Sequence, residues 1–440
     1  MVQESWVPLR TSPGAQGGRN RAADTLAATD GPRVPEAPRP LAVPPLEHEE
    51  HRWVVEDGAG VSRAARAAGT GTYFSAVVPP IASYRPVLPG DLAADVEEAV
   101  AALATFDAHA RAVFGADSIM LGPMGSVLLR TESTSSSQIE NLTVGARQLA
   151  MAEIDQSSSG NAKVVVANVR AMETALELAD RLDEQAVLAM HARLLAGQRG
   201  WERHAGRYRD VLVWVGASSV SPRGASYVGP QPGLVPGAMR DLVAFVQRDD
   251  LPVLVQAAVA HAHFETIHPF ADGNGRTGRA LVHAILRSKG LVTSTTAPVS
   301  AGLLRETERY FDALDTYRAG DARPIVERFA DAARYAASSG ARLVDDLAAQ
   351  LDGSRTAMAG LRPGSGAWKV LPHLVSQPVV NARHLVDALG MNDMGAQRAL
   401  AALTRVGVLE ERTGLRRNRV WQHPGILTVL DGYAEGLRRA

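Results

Sequence analysis

The sequence predicts a mainly helical fold with one short β-hairpin and a separate C-terminal helical unit. Three observations predict it. Apolar residues recur at helical spacing through most of 90–340. Alternation of apolar and polar residues with Gly and Pro punctuation is confined to about 207–230. A Gly-, Arg- and Ser-bearing break near 353–366 sets off a last unit of about 75 residues.

Composition narrows the classes of function. A chain of 440 residues, 46% hydrophobic, has room for a sizeable core in about two to four domains. A formal net charge of −1 gives no whole-molecule attraction to nucleic acid or to an anionic membrane. The absence of cysteine excludes disulfides, thiol nucleophiles and Cys-based zinc sites. Lysine stands only at Lys163, Lys289 and Lys369, none of them in a Walker-A setting, and there is no HExxH pattern. No stretch is long and apolar enough to span a bilayer, and MVQESWVPLR lacks the features of a signal peptide. A cytoplasmic location without membrane contact is the expectation.

Taken in order, residues 1–70 are rich in Pro, Ala, Arg and Gly without a period and read as a disordered tail. Residues 71–180 read as an N-terminal helical region. An extended stretch near Tyr73 leads into one long amphipathic helix from Pro89, and the serine run Ser135–Ser137 reads as a turn or N-cap before further helix. Residues 181–355 read as a core unit with a hairpin and closing helices. The hairpin falls in RYRDVLVWVGASSVSPRGASYVGP, and helices resume at PGAMRDLVAFVQRDD. Residues 362–440 read as three helices and an Arg-rich hairpin.

The run His261–Arg279, HAHFETIHPFADGNGRTGR, carries the chemistry. An apolar helix stops before Pro269, because proline disfavours helix at the residue preceding it. A tight loop follows, and a second helix begins in GRTGRALVHAILRS. Gly273 and Gly275 let backbone N–H groups approach a ligand, and a helix N-terminus adds unpaired donors and partial positive charge. Arg276 and Arg279, three apart, share a helix face and reach one polyanion. Asp272 is a hard oxygen ligand suited to Mg²⁺ on a phosphate. His268 at the loop entrance is suited to accept a proton near neutral pH.

This run resembles the signature of the Fic family, H-P-F-x-D-G-N-G-R-x-x-R, and matches each of its fixed positions. The flanking HxHFExIHPF, the hairpin segment and RYFDALDTYRAGDARPIVERF also resemble that family, from about residue 75 onward. The resemblance implies a Fic-fold helical bundle with the hairpin as a flap over the target chain. It implies transfer of AMP from ATP to a Ser, Thr or Tyr hydroxyl of a protein substrate, the chain itself included. In that reading His268 is the base and Asp272 holds Mg²⁺. Asn274, with the N–H groups of Gly273 and Gly275, binds the α-phosphate, Arg276 the β-phosphate and Arg279 the γ-phosphate.

Ser136-Ser137-Gln138-Ile139-Glu140-Asn141 resembles the family's inhibitory motif, [S/T]-x-x-x-E-[G/N]. The resemblance pairs Glu140 with Arg279, with Ser136 bonding Glu140 or a phosphate. The brake is then intramolecular, because Arg279 cannot give its guanidinium to both Glu140 and the γ-phosphate. The last unit resembles a winged helix-turn-helix, with AQRALAALTRVG as recognition helix and Arg412, Arg416, Arg417 and Arg419 on the wing; DNA, or a docking or dimer partner, is what such a unit contacts. A homodimer is also consistent with the family. Rival readings are removal of AMP, transfer of another group by the same site, and a DNA-binding regulator that senses nucleotide. The target, and the signal that frees Glu140, are not written in the sequence.

Overall fold

In the computed structural model the described residues are 40–56, 61–115, 121–196, 198–216, 218–412 and 419–438. An N-terminal hairpin pairs β1 (Glu47–Trp53) with β2 (Gly71–Val77), antiparallel, with Glu47 opposite Val77 and a short α1 (Arg63–Gly69) between them. Then come α2 (Gly90–Phe114), α3 (Leu121–Ile139), α4 (Ala146–Glu153), α5 (Gly160–Glu177) and α6 (Glu184–Leu195). A minimal antiparallel pair, β3 (Trp214–Val215) and β4 (Tyr227–Val228), precedes α7 (Val235–Val246), α8 (Val253–Ile267) and α9 (Asn274–Ser288). The bundle closes with α10 (Val299–Leu304), α11 (Thr307–Arg318) and α12 (Arg323–Ala357).

Helix α8 lies at the centre because its sequence leaves it no wet face: every residue from Leu254 to Ile267 is buried. Its polar side chains are used for bracing. The Gln256 amide donates to the carbonyls of Phe245, Val246 and Arg248, which closes the end of α7. Helix α9 packs beside α8, and α5, α6, α7, α11 and α12 surround the pair.

Helix α12, 35 residues and therefore about 52 Å long, is the spine. Its alanine-rich face lets neighbours come close. A side chain at Gly302 of α10 would put its Cβ 2.4 Å from the Ala332 Cα, so only glycine permits that crossing. The buried Asp107 of α2 fixes the loop that leads to α10, accepting from the Thr293 hydroxyl, the Ser294 N–H and both donors of Thr295. Burial pushes its carboxyl upward, but those hydrogen bonds outweigh burial and hold it below the usual carboxylate range.

The C-terminal unit runs α13 (Gly366–Ser376), β5 (Val379–Val380), α14 (Ala382–Leu389), α15 (Asp393–Arg405), β6 (Glu410–Glu411), β7 (Trp421–Gln422) and α16 (Pro424–Arg438). Its sheet has the order β5–β7–β6, all antiparallel. Asn381 and Asn392 cap α14 and α15 by accepting from the N–H groups of His384 and Gly395. The unit grips the front of the molecule: the Gln377 amide donates to Ala150 O and Val379 O and accepts from Arg130. Among the described residues no helix is long and apolar enough to cross a membrane.

The structure departs from the sequence reading at four places. Residues 47–53 and 63–69, read as part of a disordered tail, form β1 and α1, because the partner strand β2 is supplied from 71–77; residues 1–39 and 57–60 lie outside the described residues. Ser135–Ser137 are no N-cap but the buried last turns of α3, where the Ser137 hydroxyl turns back to Ser133 O and Asn168 of α5 donates to both. The break expected from 353 begins only after Ala357. Strand β5 and helix α16 were not foreseen.

Candidate active site

The chain leaves α8 through His268, which takes a left-handed conformation at φ 50° and ψ 60° while its N–H still bonds Phe264 O. A non-glycine residue there is strained, and Pro269, unable to extend the helix, keeps it so. His268 is 7% exposed, with Nδ1 3.4 Å from the Glu265 carbonyl and 3.9 Å from the Glu265 carboxylate. A carbonyl only accepts, so Nδ1 carries the proton and Nε2 keeps its lone pair.

The loop 268–273 is folded on Asn274. Its side-chain oxygen accepts from the Phe270 N–H at 2.8 Å and its amide donates to Phe270 O at 2.9 Å, a reciprocal clamp in a fully buried setting. The sequence reading gave this side chain to a phosphate; the fold turns it inward, onto the loop. Gly273 then starts α9 at φ 79°, where a Cβ would also strike Leu194 at 2.7 Å.

The N-terminus of α9 forms a cradle with Arg276 and Arg279 on one face, and a carboxylate sits in it. Glu140 Oε2 lies 2.6 Å from Arg276 Nε and Oε1 lies 2.7 Å from Arg279 Nη2. Both arginines hold Glu140, where Arg279 alone was expected. The carboxylate lies directly over Gly275, whose added Cβ would be 2.6 Å from Glu140 Oε1. Ser136 meets Arg279, not Glu140: Arg279 Nε donates to Ser136 Oγ and Nη2 to Ser136 O, each at 2.8 Å. Burial is the largest single influence and lowers the Arg279 basicity, yet the charges of Glu140, Tyr310 and Glu265 and the Glu140 hydrogen bond together outweigh it and raise it. Glu140 reaches the cradle because Asn141, at φ 63°, ends α3 in the left-handed region that Asn tolerates.

Asp272 stands at the rim, its carboxylate 3.3 Å from Arg276 Nη2. Among the described residues no three His, Cys, Asp or Glu gather as a metal site. A lone carboxylate at the rim is a hard oxygen donor of the kind that suits a cation arriving bound to phosphates.

Residues 181–286 match the Fic/DOC family, and residues 93–177 match the Fic/DOC family N-terminal region. The chain carries a Fic/DOC family domain preceded by that family's N-terminal region. It is 37% identical over 92 residues to a probable protein adenylyltransferase of Aquifex aeolicus, covering 21% of this chain and 26% of that one. It is 32% identical over 151 residues to a protein adenylyltransferase of Caenorhabditis elegans, covering 33% of this chain and 26% of the relative. With a protein adenylyltransferase of Nematostella vectensis it shares 30% identity over 158 residues, 35% of this chain and 33% of the other. The chain thus spans between a quarter and a third of these relatives' length. A solved Fic family protein from Desulfovibrio desulfuricans G20 matches 74% of this chain and 96% of its own, at 24% identity and a TM-score of 0.44.

Two residues that the sequence reading did not single out hold this Fic loop in place. His191 of α6 stacks flat on Phe270, ring centroids 3.7 Å apart, and its Nε2 donates to Asp272 O while its Nδ1 accepts from the Gly206 N–H. Burial pushes its pKa down to about 4, so the ring is neutral. Arg209, at the start of the flap, donates from Nε to His268 O, from Nη2 to Pro230 O and from Nη1 to Val211 O. Burial lowers it to about 10, still charged at neutral pH. Arg209 stands in the hairpin segment and His191 outside any motif, and the contacts of each become legible only when distant segments meet.

The other histidines of the run are structural. His261 Nε2 pairs with the Tyr310 hydroxyl at 2.7 Å and His263 Nδ1 with the Tyr317 hydroxyl at 3.0 Å, and burial drops both pKa values to about 3. The tyrosines near the flap are engaged too. Tyr227 donates to Thr266 O, Tyr208 to Glu184, and Tyr73 accepts from Gln231.

Proposed function

We propose that this chain is a braked protein adenylyltransferase, moving AMP from ATP to a Ser, Thr or Tyr hydroxyl of a protein. One observation carries the reading: a carboxylate already occupies the helix N-terminus between Arg276 and Arg279, the position and charge that a nucleotide phosphate requires. In the reaction His268 Nε2 takes the proton of the target hydroxyl, whose oxygen bonds the α-phosphorus of ATP. The bond from the α-phosphorus to the bridging oxygen breaks, and pyrophosphate leaves. The N–H groups at the start of α9 stabilise charge on the α-phosphate oxygens, and the two arginines hold the leaving phosphates. Asp272 would hold Mg²⁺, which neutralises phosphate charge. Asn274, His191 and Arg209 act by keeping the loop in shape.

ATP and Glu140 compete for the same two guanidinium groups. Losing charge-assisted contacts worth about 1.5–3 kcal/mol corresponds to about 10–100-fold in productive ATP binding. The experiment is incubation of the protein with labelled ATP and Mg²⁺ as wild type, Glu140→Gly and Glu140→Gly/His268→Ala, read by intact mass and by labelling of lysate proteins. AMP addition at least tenfold faster in Glu140→Gly, and gone in the double variant, is expected; equal rates in wild type and Glu140→Gly would remove the brake. Because the Glu140 side chain is 26% exposed, it can also orient a water, which makes removal of AMP the second reading. Loss of AMP from a modified protein in wild type, and not in Glu140→Gly, would favour it.

For the C-terminal unit, the helix–strand–helix–helix–hairpin order supports a winged helix. Of its arginines, Arg419 is paired with Glu411 and stacks over Trp421, while Arg416 and Arg417 lie outside the described residues. Salt-dependent gel shifts with duplex DNA test contact through it.

A further inference from the structure

Helix α4, 8 residues long, follows Glu140 after the link 141–145 and is too short to hold itself together. The residue at its N-cap is Gly145, which has no side chain to meet the first N–H groups. Asp431 of α16 supplies the missing cap, Oδ1 accepting from the Ala146 N–H at 3.1 Å. At the other end the buried Gln377, between α13 and β5, donates to Ala150 O of the last turn at 2.7 Å. The Gln377 oxygen accepts from Arg130 of α3, and the Nε of that arginine holds Glu153 of α4 at 2.6 Å. Ala150 and Ile154 pack with Val379, Val420 and Leu427 of the C-terminal unit. That unit is itself tied to the spine α12, where His423 meets Ser354 at 2.9 Å and Tyr433 meets Ser339 at 3.2 Å. On the near side of Glu140, α3 is keyed to α9 by the buried Glu132, 2.9 Å from His283, and by Ser136 on Arg279.

We propose that the C-terminal unit straps the brake in place: by finishing both ends of α4 it fixes the link 141–145 and keeps Glu140 within reach of Arg276 and Arg279. The backbone at the end of α3 and in the link sets where the Glu140 side chain stands. With both sides of the link held, the carboxylate re-pairs with the two guanidinium groups after every excursion. With the α4 side released, the link gains freedom and the carboxylate spends less time on them. Contacts made in the braked arrangement and lost outside it add to its population, so the strap opposes ATP. Asp431 and Gln377 are therefore positioning residues that act on Glu140 through α4. The effect on ATP rests on the competition between Glu140 and nucleotide given above; the hold on the link does not.

Asp431→Ala removes the cap, while Asp431→Asn keeps an oxygen that accepts from the Ala146 N–H. Equilibrium dialysis of labelled ATP with Mg²⁺ on the full chain reads the result. Asp431→Ala is expected to tighten ATP about three- to tenfold, in keeping with the loss of one helix cap. Asp431→Asn is expected to bind ATP as wild type does, and Asp431→Ala to add nothing in the Glu140→Gly background. Hydrogen exchange is the second readout: amides of 141–150 should exchange faster in Asp431→Ala while those of α5 do not. Unchanged ATP affinity in Asp431→Ala, where Glu140→Gly binds tighter, overturns the strap. So does an equal gain with and without Glu140, because the residue then acts by another route. A gain as large in Asp431→Asn overturns the cap as its cause. If Glu140→Gly binds ATP no tighter than wild type, the competition itself falls, and exchange over 141–150 still decides the hold on the link, which unaltered exchange in Asp431→Ala would overturn.

Discussion

At the scale of single residues, the site is built from side chains that satisfy one another before any ligand arrives. His191 is the clearest instance. Its ring carries a stack on Phe270 and both a donor and an acceptor bond, so it fixes where Asp272 and the cradle stand relative to His268. His191→Phe keeps the stack and strands the Gly206 N–H and the Asp272 carbonyl. A loss of about 1–3 kcal/mol in urea unfolding is expected, together with a fall of tenfold or more in AMP transfer measured in the Glu140→Gly background. A variant as active and as stable as its parent would show that the loop holds itself. Most of this scale was open to sequence reading where a motif named the residue: His268, Asp272, Gly273, Gly275, Arg276, Arg279 and Glu140 all come to one place. Asn274 could be named, but its inward-turned side chain could not, because a sequence does not say which way an amide faces.

At the scale of elements, close approach decides the packing. Gly302 lets α10 cross the alanine face of α12 with no room for a methyl group. Gly302→Ala is therefore expected to lower stability by about 1–3 kcal/mol, as overpacking does, with the shift read from the urea midpoint at unchanged slope. An unaltered midpoint would mean that the two helices separate freely. Helices α2, α8 and α12 were foreseeable from apolar spacing, and the hairpin β3–β4 from its Gly and Pro punctuation. Strand β1 was not, because EHEEHRW alternates no apolar face and becomes a strand only by pairing with 71–77. The end of α3 misled for a related reason: serines favour caps when alone, and here burial against α5 overrides that preference.

For the whole molecule, buried neutral histidines set the response to acid. Burial pulls His261 and His263 to about 3, and His191, His373 and His423 to about 4, against an ordinary value near 6.5. The folded state therefore refuses protons that the unfolded chain accepts. Their contribution is complete above pH 6.5, falls as the pH drops below it, and is exhausted near pH 3–4. At pH 5 unfolding should take up about five protons from these groups, a steep slope of stability on pH. The depressed Asp107 adds to the loss at still lower pH. Urea midpoints measured from pH 7.5 to 4.5 are expected to fall continuously; a flat profile would mean that these rings are hydrated.

The sequence by itself determined which candidate site residues occur and their order along the chain. Histidine, carboxylate, glycines and arginines stand within twelve residues, and a helix broken by Pro269 has to present them together. It also determined the helical class, since apolar period is a local property. Only the tertiary structure decided that Glu140 bridges both arginines, that His191 and Arg209 lock the loop, and that the C-terminal unit caps both ends of α4. Each of these depends on segments tens to hundreds of residues apart meeting within hydrogen-bond reach. Local propensity does not encode such meetings; the burial of a shared core does.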